Sequence, residues 1–291
     1  MEEIRSTLIF NGHKLTDYGV YVSGDKTFDA PKKEITKVSI PGRSGDLISF
    51  NGRYSNVNLT YDAILIKDYE KNAAALRSIL MSPEGYCRLE DTYHKDEYRM
   101  AHFTGPLNFD SIFLEAGQTV LSFDCKPQRW LKSGEDRILI ADNTQSSETV
   151  TFEEDGQQVT YYQDVFTINN PTLFPAKPLF QIKGYGKMRI YVGHEGDIYE
   201  NGFYITANYT NDPMYQVHSI DCDSMTGKKS FTLTSGPADT RRETDPIGFY
   251  DIADDLLDRF PTLNPGEAVV YVLRTQPTLS KVYLTPRWYI L

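Results

Sequence analysis

Helical periodicity is confined to one segment of this sequence, and this scarcity constrains the fold more than any other feature. Four apolar residues at positions i, i+4, i+7 and i+11 share one face of that segment: Tyr69, Ala73, Leu76 and Leu80. Asp68 is a suitable N-cap residue, and Pro83 ends the helix. The sequence therefore predicts one substantial helix, so strands must supply most of the core.

The composition agrees with that division. The 291 residues are 40% hydrophobic and 24% charged, which is typical of a globular chain with one large domain or two ordinary ones. Tyrosine occurs 20 times and phenylalanine 15 times, and both residue types favour strands over helices. The predicted fold class is mainly β.

The first half of the chain predicts an α+β domain. Around the helix, short apolar or alternating runs are expected to form strands at residues 7–10, 18–22, 32–40, 57–61, 86–89, 100–103 and 118–125. A helix packed on one sheet satisfies this order of elements. The first domain is expected to end just after residues 126–130, so the predicted N-terminal domain spans residues 1–132.

The second half has almost no helical period. Strands are expected at residues 149–152, 157–162, 165–169, 179–183, 188–192, 203–207, 216–221, 228–233, 268–274 and 281–288. The exception is the acidic segment 251–259, which predicts one or two helical turns. Short strands separated by turn residues are typical of a β-sandwich, here the C-terminal domain at residues 133–291.

A bent, polar loop is predicted next to the strand at 32–40. Pro41 has no amide hydrogen and interrupts a central strand, while Gly42 and Gly45 permit positive φ on either side of Arg43. Further on, Asn51-Gly52 predicts a two-residue hairpin turn between residues 47–50 and 53–61.

Stiff backbone of this kind can hold side chains in place for docking, although an ordinary surface hairpin with solvated charges fits the same pattern. The candidate contact residues are Pro41, Gly42, Arg43, Gly45, Asp46, Asn51, Gly52, Arg53 and Tyr54.

Charge and hydropathy exclude two classes of partner. The formal net charge of -10 repels polyanions, so sequence-specific nucleic-acid binding is not expected. The apolar runs are all shorter than the ~18 residues that a spanning helix needs, and the start of the chain lacks a signal-peptide pattern. We therefore expect no membrane insertion and synthesis in a cytosol. Cys87, Cys125 and Cys222 are widely spaced and are expected to be buried free thiols.

Fragments of catalytic and metal-binding motifs occur, and each departs from its motif at a required position. Residues 184–189 lack the third glycine of a dinucleotide loop, 194–198 the second histidine of a zinc-protease helix, and 221–227 the sixth-position glycine of a calcium loop. Nothing selects a pair for sugar hydrolysis from the 40 acidic residues. We predict no catalytic, metal or cofactor site, and a binding or structural protein instead of an enzyme.

Seven short segments, most of them rich in turn-forming residues, follow one another along the chain: IPGRSGDL at 40–47, NGRY at 51–54, FDCKPQRW at 123–130, NPTLFPAKP at 170–178, IDCD at 220–223, FPTLNPGE at 260–267 and PRWY at 286–289. Together they resemble the distal tail (Dit) proteins of long-flexible-tailed, siphovirus-type bacteriophages and prophages of Gram-positive bacteria. The ordered set is specific, and it covers nearly the whole chain.

This resemblance implies an N-terminal domain that forms a homo-hexameric ring at the end of the tail tube, and a C-terminal galectin-like β-sandwich. The ring would be the hub of the tail tip or baseplate. It would join the tail-tube protein to the tail-associated fibre or lysin protein and, in some phages, to receptor-binding proteins for host adsorption. DNA would pass through its lumen. The protein would be synthesised in the host cytoplasm and located in the virion, with no cofactor.

A ring requires two different surfaces of the same fold to meet. We expect Arg43, Asp46 and Arg53 to supply the charged part of the contact with the next copy or with the tube. The alternative function is a carbohydrate-binding module for host cell-wall sugars, for which Tyr185, Tyr191 and Tyr199 could form an exposed platform. A cell-wall glycoside hydrolase is the third hypothesis.

Overall fold

The structure is a computed structural model, which describes residues 7–23, 29–66, 68–113, 116–144, 146, 148–184, 186–193, 202–207, 215–232, 242–246, 260–277 and 280–291. Strands dominate these residues and one segment is α-helical, so the predicted mainly β class is confirmed. The chain divides into two compact units, Met1–Lys132 with Ile290–Leu291, and Ser133–Tyr289.

The first unit contains one large antiparallel sheet and a separate two-stranded sheet. Its elements are β1 (Leu8–Phe10), β2 (His13–Lys14), β3 (Val20–Ser23), β4 (Lys33–Val38), β5 (Leu47–Tyr54), β6 (Val57–Ile66), α1 (Tyr69–Met81), β7 (Cys87–Asp91), β8 (Glu97–Phe103), β9 (Asp110–Phe113) and β10 (Ala116–Leu131). The main sheet has the strand order β2-β1-β7-β8-β10-β6-β3, and β9 pairs with β10. Among the described strands, β4 and β5 pair only with each other.

The core of the first unit lies between α1 and the main sheet. Alternation along β6 buries Leu59 and Leu65, and the apolar stripe of α1 buries Ala73, Leu76 and Leu80 in the same cluster. Each leucine buried in this way contributes about 1.5–3 kcal/mol. The predicted helix is therefore confirmed, together with the face that it presents to the sheet.

Asp68 occupies the N-cap position, as predicted, but its side chain does not cap the helix. Asp68 stands at the N-cap position with φ 39° and makes no side-chain hydrogen bond to the helix. A capping side chain reaches the first amides from an extended backbone, which this left-handed conformation does not provide. Instead, the Asp68 carbonyl accepts a hydrogen bond from Asn72 N at 2.9 Å.

The hairpin turn predicted at Asn51-Gly52 is wrong. Strand β5 runs through both residues and pairs with β4, where Lys33 lies opposite Tyr54 and Ile35 opposite Phe50. Three residues of β5 therefore face one residue of β4. The positive φ of the glycine, 75°, is used in this bulge and not in a turn. The turn between the two strands is formed by the loop that follows β4.

Strand β10 continues past the point where Pro127 was expected to help end it. The register against β8 shifts between Cys125 and Arg129, and Pro127 lies inside this irregularity. A bulge tolerates proline because the missing amide hydrogen is not needed for the ladder there. The strands predicted at the start of the chain exist, but β1 pairs with β2 and β7, while β3 lies at the opposite edge of the sheet.

The second unit is a sandwich of two antiparallel sheets. Its strands are β11 (Ile138–Ala141), β12 (Thr149–Glu154), β13 (Gln157–Asn170), β14 (Leu179–Gly184), β15 (Gly186–Gly193), β16 (Gly202–Ala207), β17 (Tyr215–Asp221), β18 (Thr226–Thr232), β19 (Arg242–Pro246), β20 (Gly266–Arg274) and β21 (Ser280–Thr285). The last strand of the chain, β22 (Tyr289–Ile290), pairs with β10 in the main sheet of the first unit. One sheet has the order β11-β21-β14-β17-β18-β19 and the other β12-β13-β20-β15-β16. Phe180 of the first sheet and Phe203 of the second meet edge to face at 5.3 Å, which confirms a sandwich core.

The strands expected at 157–162 and 165–169 are one strand, β13, which pairs with β20 from Tyr162 to Asn170 without interruption. Asp164 therefore lies within a strand and not in a turn, and its carboxylate bonds to a buried arginine. The helical turns expected at 251–259 lie outside the described residues.

That arginine, Arg274, is fully buried and its guanidinium is surrounded by acceptors. Nη1 donates to the carbonyls of Asp142 at 2.6 Å and Ser280 at 2.7 Å, and Nη2 pairs with the carboxylate of Asp164. Further bonds reach the Pro277 carbonyl. A buried charge is stable only when it is paired and hydrogen-bonded in this way.

Asn170 fixes the loop that follows β13. Its Nδ2 donates to the carbonyls of Phe174 and Leu263, both at 2.9 Å. Its Oδ1 accepts from the amide of Thr172 at 2.9 Å and from the Thr172 hydroxyl at 2.8 Å. One buried amide thus supplies the turn with bonds that the backbone cannot make itself.

Candidate functional site

The candidate site is the hairpin of β4, β5 and their connecting loop, residues 33–54, which we call the arm. Its two strands form a sheet of their own, and Ser55 N closes its base by donating to the Lys32 carbonyl at 2.9 Å. Nearly all arm residues are exposed on both faces. An isolated two-stranded hairpin is only marginally stable in water, so the arm is expected to be stabilised by contact with another molecule.

The tip of the arm has a defined backbone. Arg43 N donates to the Ile40 carbonyl at 3.1 Å, with Pro41 and Gly42 at the central positions and Gly42 at φ 80°. These are the features of a type II turn, which needs proline second and glycine third. A side chain on Gly42 would meet nothing within 4 Å, so φ and not space requires the glycine. Gly45, at φ 85°, provides a second left-handed position.

The nine predicted contact residues fall into two groups. Pro41, Gly42, Arg43, Gly45 and Asp46 lie together in the tip, whereas Asn51, Gly52, Arg53 and Tyr54 lie at the far end of β5. At roughly 3.3 Å per residue, Asp46 and Arg53 are about 23 Å apart along the strand. The structure therefore does not bring Arg43, Asp46 and Arg53 into one charged cluster.

Residues of the second group contact β4. Arg53 Nε lies 3.4 Å from a carboxylate oxygen of Glu34, and Asn51 Oδ1 accepts a hydrogen bond from the Thr36 hydroxyl at 2.9 Å. Tyr54 packs against Phe50 with ring centroids 5.2 Å apart. These contacts surround the bulge and are made within the arm itself.

Sequence reasoning missed the apolar surface of the arm. Six large apolar side chains are between 38% and 60% exposed: Ile35, Val38, Ile40, Leu47, Ile48 and Phe50. Such runs usually mark buried strands, and only the tertiary structure leaves them in water. The available signal was the run 47–50, which carries apolar residues at successive positions and hence on both faces of a strand.

The register places these side chains on both faces of the ribbon. Val38 lies opposite Leu47 on one face, and Ile35 opposite Phe50 on the other. Ile48 shares the second face, where Lys33 Nζ also lies 4.4 Å from the centre of the Phe50 ring. A ribbon with apolar surface on both sides can be covered only by contact on both sides.

Other candidate chemistry is not assembled in the part of the chain that the structure describes. The described residues include no group of three or more His, Cys, Asp or Glu placed to hold a metal, and no helix among them is long and apolar enough to cross a membrane. Cys125 and Cys222 are buried free thiols, as predicted, and Cys87 is half-buried. Burial raises the pKa of Cys125 to about 12, so this thiol is not activated.

The aromatic platform proposed for sugar binding is not supported. Tyr191 is 4% exposed and packs in a cluster with Tyr161 and Leu273. Tyr185 and Tyr199 lie outside the described residues. Stacking on a sugar ring requires an exposed aromatic face, which a buried tyrosine cannot offer.

Comparison with known proteins gives an informative structural similarity. No protein-family model matches the chain, and no curated protein matches it. Among solved structures, SPP1 Dit (gp19.1), described as a paradigm of the hub adsorption apparatus in phages that infect Gram-positive bacteria, is 13% identical and superposes with a TM-score of 0.63 over 98% of this chain and 99% of that chain. A Cry1Da tryptic core variant from Bacillus thuringiensis is 9% identical, covers 97% of this chain and 51% of that one, and has a TM-score of 0.23, which carries no argument.

The chain therefore shares its fold, over both units, with SPP1 Dit. The resemblance inferred from the ordered sequence segments is confirmed at the level of the fold.

Proposed function

We propose that this protein is a structural, non-enzymatic hub of a phage tail tip, in which copies of the chain assemble into a ring through the arm. The observation that carries the proposal is the fold shared with a phage hub protein over nearly the full length of both chains. Fold alone does not define function, so the proposal also rests on the arm itself.

The arm has the properties of a subunit contact. Its six exposed apolar side chains lose favourable burial energy in the isolated protomer, about 25 cal/mol for each Å² left in water. Because they lie on both faces of the ribbon, one flat partner surface cannot cover them. A neighbouring copy that receives the arm between two of its surfaces would do so.

Charge favours a second copy as that partner. Residues 33–54 contain four Lys or Arg and two Asp or Glu, which gives the arm a net charge of +2. Because the whole chain has a net charge of -10, the residues outside the arm have a net charge of -12. A basic arm is complementary to an acidic body of the same chain. Charge pairs of this kind set register and the rate of association more than they set affinity.

Ring closure follows from the type of contact. An arm that meets a different surface on the next copy is a heterologous contact, which closes into a ring when the rotation between copies is a whole fraction of a turn. We propose six copies, a lumen for DNA, the tail-tube protein on one side, and the tail-associated fibre or lysin protein on the other. The place of the protein is then the tail tip of a virion, with the second unit available to receptor-binding proteins.

The apolar surface of the two arm strands is tested with a matched pair of variants. Ile48 and Met225 are both 60% exposed, the first in the arm and the second in a turn of the second unit. We expect Ile48→Glu to abolish assembly, because a charge cannot be buried in the contact, and Met225→Glu to leave it intact. Native mass spectrometry of both variants gives the result, and melting temperatures show that each protomer is folded. Rings formed by Ile48→Glu would refute the arm contact.

The tip and the base are tested with charge reversal. Arg43→Glu combined with Arg53→Glu changes the net charge of the arm from +2 to -2. We expect slower assembly that recovers at high salt, since exposed charges are screened. Unchanged assembly of the double variant at low salt would show that these two arginines are not part of the contact. The apolar side chains of the arm strands would then determine assembly alone.

A further inference from the structure

The outer half of the arm, residues 37–48, is held only by its own backbone. Val38 pairs with Leu47 where the strands end, and the tip adds one hydrogen bond, from Arg43 N to the Ile40 carbonyl. Among the described residues, no side chain of this half makes a hydrogen bond, an ion pair or a ring contact, and every residue of it is exposed. The fold of the outer half therefore depends on a short ladder and one turn.

The core of the first unit does not support this half. Within the described residues, the buried cluster between α1 and the main sheet includes none from 33–54. Gly42 and Gly45 must also be fixed at positive φ, and glycine loses more conformational freedom on folding than any other residue. Two-stranded hairpins without a packing surface are only marginally stable in water. In an isolated protomer the hairpin is therefore one of several conformations of the outer half.

Contact with a neighbouring copy changes this balance. Four of the six exposed apolar side chains of the arm lie in the outer half: Val38, Ile40, Leu47 and Ile48. They lose contact with water only when a partner covers them, and the hairpin is the conformation that presents them together. Docking therefore favours the hairpin over the open conformations, which couples the folding of this half to the contact.

We propose that the outer half of the arm folds on docking, and that its folding equilibrium regulates ring assembly. The inference rests on the proposed function, because it concerns the same contact. A protomer with an open outer half cannot dock, so its apparent affinity for the next copy is reduced by the fraction of protomers in which the hairpin is formed. Dilute protomers thus stay apart, and a high local concentration of chains drives ring formation.

A disulfide across the arm tests this coupling. Thr36 and Ser49 lie directly opposite each other next to the outer half, and neither belongs to the six apolar residues or the nine predicted contact residues. In Thr36→Cys/Ser49→Cys, the disulfide holds the strands in register and removes open conformations. With the hairpin formed in roughly 10% of free protomers or fewer, we expect the oxidised variant to form rings at a concentration at least about tenfold below that of the reduced variant. Native mass spectrometry of dilution series gives both concentrations.

The matched control is Thr151→Cys/Thr160→Cys. These threonines are opposite each other on β12 and β13 of the second unit, with their hydroxyl oxygens 3.2 Å apart. Oxidation of the control pair should leave the concentration for ring formation unchanged. Rings formed at the same concentration by the oxidised and reduced arm variants would overturn the inference and leave the proposed function standing. Absence of rings in every variant and in the wild type would refute the proposed function, and the inference with it.

Hydrogen exchange of the wild-type protein gives a readout that needs no variant. In the dilute protomer, we expect the amides of residues 37–48 to exchange like those of an unfolded chain, while the amides of β6 and β10 stay protected. In the ring, the amides of residues 37–48 should become protected as well. Protection of these amides in the dilute protomer would overturn the inference.

Discussion

The two units treat a buried arginine in opposite ways. In the second unit, Arg274 donates to four backbone carbonyls and to the Asp164 carboxylate, and only its Nε lacks a partner among the described residues. In the first unit, Arg99 is almost as buried and has no such partner. Both terminal nitrogens of Arg274 thus have acceptors, whereas Nη1 of Arg99 is buried without one among the described residues.

The two units also differ in how their exposed apolar side chains are distributed. The arm of the first unit gathers six large exposed apolar side chains in one hairpin. The exposed ones of the second unit, Leu139, Val165, Leu173 and Met225, lie on four separate segments of the chain. Only the arm therefore presents the dense apolar surface that we propose is covered in the ring.

The sharpest test of this comparison replaces each arginine with methionine. Arg274→Met removes the partner of the partly buried Asp164 carboxylate and of several carbonyls, and we expect a loss of about 3–5 kcal/mol. Arg99→Met removes a buried guanidinium that makes no hydrogen bond among the described residues, and we expect no loss of stability or a gain. Chemical denaturation of both variants, with Arg77→Met at an exposed arginine of α1 as the control, gives the free energies. Equal losses at the two positions would break the comparison.

A smaller effect is expected at Asn170. Replacing it with alanine leaves the carbonyls of Phe174 and Leu263 without a donor, so we expect a loss of about 1–3 kcal/mol in the second unit. Asn264→Ala, at an exposed position of a neighbouring segment, is the control and should change the free energy of unfolding little. A loss at Asn170 no larger than that at Asn264 would show that the loop is not held by this side chain.

The smallest effect concerns pH. Burial alone would raise the pKa of Glu154, but hydrogen bonds from Lys187, Tyr161 and Arg189 lower it below its ordinary value. The unfolded chain then binds more protons than the folded one in acid, so this stability is present above the unfolded pKa and is lost as pH falls through the folded pKa.

We expect Glu154→Gln to reduce the difference in melting temperature between pH 7 and pH 3.5, because the uncharged side chain no longer gains a proton in that range. Glu153→Gln, at the exposed neighbouring position, should retain the full difference. An acid sensitivity that is identical in the two variants would show that the Glu154 network does not contribute to the stability of the second unit.

Periodic patterns made much of this fold predictable. The stripe at Ala73, Leu76 and Leu80 identified the helix, and alternation located most strands of the second unit, because each pattern is set by residues close in sequence. The turn at Asn51-Gly52 failed since its glycine can serve a bulge as well as a turn, and only the pairing partner decides between them. The strand that contains Asp164 was divided for a similar reason.

The sequence predicted where the candidate site lies, but not that its surface is mainly apolar. Pro41, Gly42 and Gly45 located the tip of the arm, since each residue type has a direct backbone consequence. The exposure of Ile48 and the isolation of Arg99 depend on which strands become neighbours, and no local pattern encodes that. The sequence accordingly drew attention to the charges of the arm, whereas the structure points to its apolar faces.

The central claim is that the chain assembles into a closed ring, and the most direct measurement is the native mass of the wild-type protein across a concentration series, with negative-stain images of the same samples. We predict one dominant species of six copies with a sixfold outline and an open lumen. A protein that stays monomeric at every concentration, with and without tail-tube protein, would contradict the account.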